Sequence, residues 1–269
     1  MRRFTLIFLL FLVLVPIRAL SQVSTGDGPR LFEAGMTAFT GVGPMHDDQA
    51  ALENFKRAAS TGYPPAQVVM GYLYEMGGAG IAADPAQAVE WYKKAAKQND
   101  PIGAWLLGRA YLTGAGTTRD LEQAVSELRK AAAHNDPFGQ HLLGMTLIEK
   151  GNPAEAVQWF RKAAMQGLPQ AQQQLGMLLK QGQGTAADKP EAYVWLVLSL
   201  HAGNSVVASD AAVLESELNA NQLETAKSRI NELEGGVTRV VVARGCTGWA
   251  GEFSMVPAPP PLELQSFCR

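Results

Sequence analysis

The chain has 269 residues, 47% of them hydrophobic and 18% charged, with a formal net charge of −2. This is ordinary globular composition, with enough apolar residues to bury a core. It has no basic excess that would hold nucleic acid or an anionic membrane surface, so no nucleic-acid partner is expected.

The N-terminus begins with Arg2 and Arg3, followed by an unbroken apolar run over residues 6–15. Pro16 breaks the run, and Ala19-Leu20-Ser21 places small residues at the two positions a signal peptidase reads. This pattern predicts a secretory signal peptide over residues 1–21, cut after Ser21. An uncleaved anchor is the alternative, but so short a run does not comfortably cross roughly 30 Å of hydrocarbon. Cleavage would leave no stable membrane span, and the expected location is periplasmic or secreted. The highly apolar run favours general export over the twin-arginine route that the Arg pair also allows.

From about residue 30 the sequence repeats itself. One unit reads AVEWYKKAAKQNDPIGAWLLGRAY over residues 88–111. Variants occupy residues 51–74, 124–147 and 156–179. Two marks set the register. One is a small-residue pair: Ala58-Ala59, Ala95-Ala96, Ala131-Ala132 and Ala163-Ala164. The other is a glycine: Gly35, Gly71, Gly108, Gly144 and Gly176. The first Ala of each pair always precedes the next glycine by 13 residues, whereas the glycine-to-glycine spacing varies from 32 to 37. A constant spacing marks a packed corner, and a variable one marks an exposed loop. Each repeat therefore has two helices, with the length variation in the loop between its first and second.

Local chemistry agrees with two helices per repeat. Asp84-Pro85 supplies an N-cap and a first-turn proline for a second helix, and Pro65, Pro101, Pro137 and Pro169 start first helices. Residues 85–97 place Ala88, Val89, Tyr92, Ala95 and Ala96 on one helical stripe, with Lys93, Lys94 and Lys97 towards solvent. A mid-helix glycine costs about 1 kcal/mol relative to Ala. Its five occurrences in one register predict close helix–helix approach, which the Ala pairs on the facing helix would permit.

Ala66, Gln67, Gly71, Tyr74, Asp84, Ala88, Trp91, Ala95 and Ala96 together form a pattern that resembles the Sel-one-like repeat, a relative of the tetratricopeptide repeat. Asp120, Ala124, Ala131 and Ala132 continue it, with Glu127 at the Trp position, and Trp159 and Trp195 return later. The first copy has Asn54 at that position, and the last has Ser199-Leu200 in place of the Ala pair. The resemblance covers five copies over residues 30–204. It implies an all-α, right-handed α-α superhelix whose function is to bind another protein or peptide.

Residues 209–218 and 222–233 read as two further helices within a capping segment, residues 205–234. Their apolar face includes Val213, Leu214, Leu218, Leu223, Ala226 and Ile230. Such helices would cover the otherwise apolar end of the solenoid. Residues 235–269 form a tail with a possible short strand over 237–243 and a stiff proline-rich stretch over 257–261. Its Cys246 and Cys268 are the mature chain's two cysteines. In an oxidising compartment they are expected to form a disulfide, with two free thiols as the alternative.

Catalytic signals are thin. His46, His134, His141 and His201 share no helix face, and neither HExxH nor a zinc-spaced cysteine pair occurs. Gly114-Ala115-Gly116 and Gly182-Gln183-Gly184 follow helices and lack a subsequent Lys, unlike phosphate loops. No catalytic residue, metal or cofactor is expected. A cell-wall or β-lactam hydrolase is an alternative, because cysteine-rich members of the resembled family have been linked to β-lactams. Those members carry disulfides within their repeats, where this chain has no cysteine. A glycan- or peptidoglycan-binding module using exposed Trp is a third reading.

At 100° per residue, the side of each first helix away from the core projects Val68 and Tyr72, then Trp105, Leu106 and Arg109. His141, Leu142 and Met145 follow, and then Gln173 and Met177. Large apolar side chains, together with Trp, Tyr and Arg, are common interface anchors. Tyr72, Trp105, Arg109, His141, Met145 and Met177 are therefore the candidate partner-binding residues, with Tyr72 and Trp105 expected to reach solvent. The alternative is that such a stripe packs against the neighbouring first helix. Trp91, Trp159 and Trp195 are expected in the core. The oligomeric state is open.

Overall fold

The computed structural model describes residues 26–40 and 47–236. Among them are twelve α-helices and no β-strand. The first helices of the five repeats are α1 (Asp27–Thr40), α3 (Pro64–Met76), α5 (Pro101–Thr113), α7 (Pro137–Glu149) and α9 (Pro169–Gln181). Their partners are α2 (Asp48–Ser60), α4 (Pro85–Ala96), α6 (Leu121–Ala133), α8 (Pro153–Met165) and α10 (Lys189–His201). A 3-10 turn, Ser205–Val207, then leads into α11 (Ala208–Glu217) and α12 (Ala220–Gly236). The repeats stack in sequence as a right-handed solenoid, and the last two helices pack on α10. The expected signal peptide, tail strand and cysteine pair lie outside the described residues.

The corners between repeats are built by backbone chemistry. Asn99 and Asn135 both adopt φ of 61°, the left-handed region that Asn tolerates better than most residues. Gly62, Gly167 and Gly203 take that place in the other corners. Asp100 and Asp136 then accept the backbone N–H of Gly103 and Gly139, which caps α5 and α7 ahead of their first-turn prolines. Burial raises the Asp100 carboxyl above its usual value, an effect its backbone N–H partners oppose.

The mid-helix glycines do permit close approach, but not to the Ala pairs. A Cβ on Gly71 would lie 2.2 Å from the Tyr92 ring, and one on Gly144 would lie 2.7 Å from Phe160. Phe55, Leu128 and Leu196 fill the same slot against Gly35, Gly108 and Gly176. Each second helix thus presses one large side chain onto the glycine of its own first helix. The Ala pair serves the next corner: a Cβ on Gly103 would meet that of Ala95 at 2.5 Å.

The glycine-rich loops likewise have structural roles. Gly114 and Gly182 end α5 and α9 in left-handed conformations. A Cβ on Gly116 would lie 2.0 Å from the Pro85 carbonyl oxygen, and one on Gly184 would lie 2.4 Å from the Pro153 carbonyl carbon. These loops clamp the start of the preceding repeat's second helix. Ion pairs join neighbouring repeats across the outer surface, including Arg129–Glu155 and Arg161–Glu191, each at 3.0 Å.

Every residue of α10 from Ala192 to Ser199 is buried, as suits a helix apolar on all sides. Helix α9 covers one side, and α11 and α12 cover others. Ser199, standing where an Ala pair would begin, donates its hydroxyl to the Pro169 carbonyl at 2.8 Å.

Candidate functional site

The first helices carry the candidate face, and burial divides it into two halves. Tyr72 is only 6% exposed and Trp105 only 4%, so neither reaches solvent as expected. Val68 and Leu106 are buried as well. The cause is close side-by-side packing of the first helices in the N-terminal half. The Trp105 ring lies 6.0 Å from Phe138 at the start of α7. Tyr72 meets Tyr92 edge to face at 6.2 Å.

Arg109 is also committed to the structure. Its Nη2 lies 2.6 Å from both carboxylate oxygens of Glu75, and its guanidinium lies 5.5 Å from the Trp105 ring centre. Tyr92 donates its hydroxyl to the same carboxylate at 2.6 Å. Burial, and then the Glu75 charge, raise the Tyr92 phenol above its ordinary value; burial likewise raises Tyr72. Glu75 therefore ties repeats two and three together. It was missing from the candidate residues, although the sequence held a signal for it. The equivalent positions four residues after each glycine are Phe39, Leu112, Ile148 and Lys180, none of them acidic.

The C-terminal half is the open one. Met145 is 39% exposed, while His141, Leu142, Gln173 and Met177 are half-buried. Helices α5 and α7 pack side by side, whereas α7 and α9 make at most marginal contact. The loop joining α7 to α8 is also the shortest of those that join the two helices of one repeat. The His141 ring lies 5.6 Å from Phe160, and its Nδ1 is buried with no hydrogen-bond partner. Burial lowers its pKa to about 4, so the imidazole is neutral at physiological pH. This half offers sulfur, alkyl and amide groups without a net charge, a chemistry suited to an apolar side chain flanked by peptide groups.

The tryptophans also depart from expectation. Trp195 is fully buried, with its N–H donated to Glu191 at 2.8 Å. Trp91 and Trp159 are only half-buried, because they lie on the outer side of the second helices. Lys94 covers one ring at 3.5 Å and Lys162 the other at 3.9 Å. An open recess of about 520 Å³ lies nearby, lined by Val157, Arg161, Lys162 and Met165 among others. Among the described residues, no group of three or more His, Cys, Asp or Glu is placed to hold a metal ion. No described helix is long and apolar enough to cross a membrane.

Residues 31–63, 64–100, 101–136, 137–168 and 169–204 each match the family model of the Sel1 repeat. Chitin synthase regulatory factor 3 of Schizosaccharomyces pombe is 31% identical over 56% of this chain and 13% of its own length. The uncharacterized protein NMB1327 of Neisseria meningitidis is 31% identical over 63% of this chain and 35% of its own. Two solved structures are similar in fold. The c5321 protective antigen of uropathogenic Escherichia coli, which displays an SLR fold, has a TM-score of 0.72 and 29% identity, covering 78% of this chain and 46% of that one. A Sel1 repeat protein from Oxalobacter formigenes has a TM-score of 0.64 and 25% identity, covering 76% of this chain and 87% of that one. The chain thus spans less than half the length of the curated relatives named. Sel1 repeats generally mediate protein–protein interaction.

Proposed function

Because the chain belongs to the Sel1 repeat family, we propose that it is an exported scaffold that holds another protein or peptide in a bacterial cell envelope. The observation that carries the reading is the uncharged, partly open surface of α7 and α9, with Met145 at its most exposed point. Export is supported by the Arg2-Arg3 start, the apolar run and the small residues before the expected cut. A regulatory role is supported by the likeness to fungal chitin synthase regulators, which share the repeats over part of their length.

The partner site is therefore assigned to His141, Leu142, Met145, Gln173 and Met177, with Tyr72, Trp105 and Arg109 as its packed support. Crosslinking in the native envelope, followed by identification of the captured protein, supplies the ligand. Against that ligand, Met145→Glu should weaken binding at least tenfold without changing the thermal midpoint. Unchanged affinity would remove the site. Fractionation tests export; retention of the intact chain in the cytoplasm would refute it.

The glycan reading loses its platform among the described residues, where the tryptophans are buried or covered by Lys. Turnover of a chromogenic β-lactam by the pure protein would overturn the scaffold reading in favour of a hydrolase.

A further inference from the structure

The open half of the first-helix face holds three donor atoms that binding a protein does not require: the ring nitrogen of His141 and the sulfurs of Met145 and Met177. His141 and Met145 are four residues apart in α7, so their side chains are neighbours on one helix face. Met145 directly follows Gly144 and Met177 directly follows Gly176, which puts the two methionines at equivalent positions of α7 and α9. These are the first helices of consecutive repeats. Met145 is 39% exposed, and His141 and Met177 are half-buried. Methionine is unbranched with three rotatable bonds, so each thioether can be carried towards the imidazole while the backbone stays in place.

The imidazole has the state a metal ligand needs. Its Nδ1 is buried without a hydrogen-bond partner, which leaves Nε2 as the nitrogen at the surface. Among the described residues, no hydrogen bond engages Nε2 either. Burial lowers the pKa, and no charged group among the described residues contributes to the shift. Metals take the neutral ring, so at neutral pH no proton has to be displaced.

The donor set selects the kind of metal. Hard cations such as Mg²⁺ and Ca²⁺ take oxygen ligands, which none of the three side chains supplies. Zn²⁺ takes thiolate, imidazole and carboxylate, and only one of these groups is present. Thioether sulfur is a soft donor that selects copper(I), and imidazole suits copper as well. The surroundings favour a singly charged ion over a doubly charged one. Leu142 and the Phe160 ring, 5.6 Å from the imidazole, are apolar, and an apolar site disfavours uncompensated charge.

We propose that the open face of α7 and α9 binds one copper(I) ion through His141 Nε2 and the thioether sulfurs of Met145 and Met177. The site rests on that face being open, as the scaffold reading also does, but not on any protein partner. The test uses the full chain carrying Cys246→Ser/Cys268→Ser, which removes the thiols, themselves copper ligands. Copper(I) is offered anaerobically from a chromogenic copper(I) chelator, and the protein should withdraw one equivalent. Met145→Leu and Met177→Leu should each weaken that binding at least about tenfold, the lower end of what even a hydrogen-bond partner of a metal ligand is worth. X-ray absorption of the copper-loaded protein should show both sulfur and nitrogen neighbours. A Met-to-Leu exchange conserves volume and apolar character, so the metal-free thermal midpoint and the affinity for a protein partner should persist. Loss of copper in Met145→Leu and loss of the partner in Met145→Glu are therefore separate results. No withdrawal of copper overturns the proposal, as does equal withdrawal by the parent and both leucine variants. A copper ion with only nitrogen and oxygen neighbours overturns it too.

Discussion

Gly71→Ala tests how the repeats are packed. By helix propensity alone the substitution should stabilise α3 by about 1 kcal/mol. The structure predicts the opposite sign. The new Cβ would lie 2.2 Å from Tyr92 Cε1 and 2.5 Å from Cδ1. Tyr92 cannot swing aside freely, because its hydroxyl is bonded to Glu75 and its ring packs on Tyr72. Overpacking costs about 1–3 kcal/mol. Weakening a hydrogen bond to a charged group costs about 1.5–3 kcal/mol more. After subtracting the propensity gain, the net destabilisation is about 2 kcal/mol or more. For a domain of this size that lowers the thermal midpoint by about 4–8 °C. Urea titration followed by far-UV circular dichroism measures it, with Gly71→Ala, Tyr92→Ala and the double variant forming a cycle. The two substitutions should couple by at least about 1 kcal/mol, because Ala at position 92 removes the ring that the new Cβ would meet. An unchanged or raised midpoint in Gly71→Ala, or strict additivity, would refute the packing argument.

Three further outcomes follow from the same structure. Arg109→Ala should cost about 2–3 kcal/mol, because it strands the Glu75 carboxylate beside two tyrosines; Arg119→Ala, which removes an exposed pair with Glu149, should cost under about 1 kcal/mol by the same thermal melts. His141 should make folding pH-dependent. Its folded pKa of about 4 lies below the unfolded value of 6.5, so the unfolded chain binds the proton first and stability falls as the pH drops from 6.5 towards 4. Between pH 7 and 5 the loss is about 2 kcal/mol, and His141→Leu should flatten that slope in urea titrations. Asn99→Gly should leave stability unchanged or slightly raised, whereas Asn99→Ala should cost about 1 kcal/mol at a corner that requires positive φ; chemical denaturation separates the two.

Much of the repeat architecture was legible because it rests on local chemistry. The Asn-Asp-Pro corner needs only a left-handed residue, a carboxylate cap and a proline, and each is visible in the letters of residues 99–101. The candidate surface was less legible. Helical projection placed Trp105 and Met145 on the same side of equivalent helices, yet one is buried and the other open. A projection describes one helix and carries no distance to the next. The pairing of Glu75 with Arg109 across 34 residues is non-local for the same reason, although its isolated acidic position was a readable sign.

By itself, the sequence determined the number of repeats, their two-helix form, the fixed corner and the absence of a large net charge. Those properties follow from periodicity and backbone capping, which act over a few residues. Only the tertiary structure decided which large side chain each glycine accommodates, which Ala pair serves which corner, and where the candidate face of the first helices closes. These depend on how neighbouring repeats settle against one another. Closer packing of α7 against α5 than against α9 makes one aromatic part of the core and leaves a methionine at the surface.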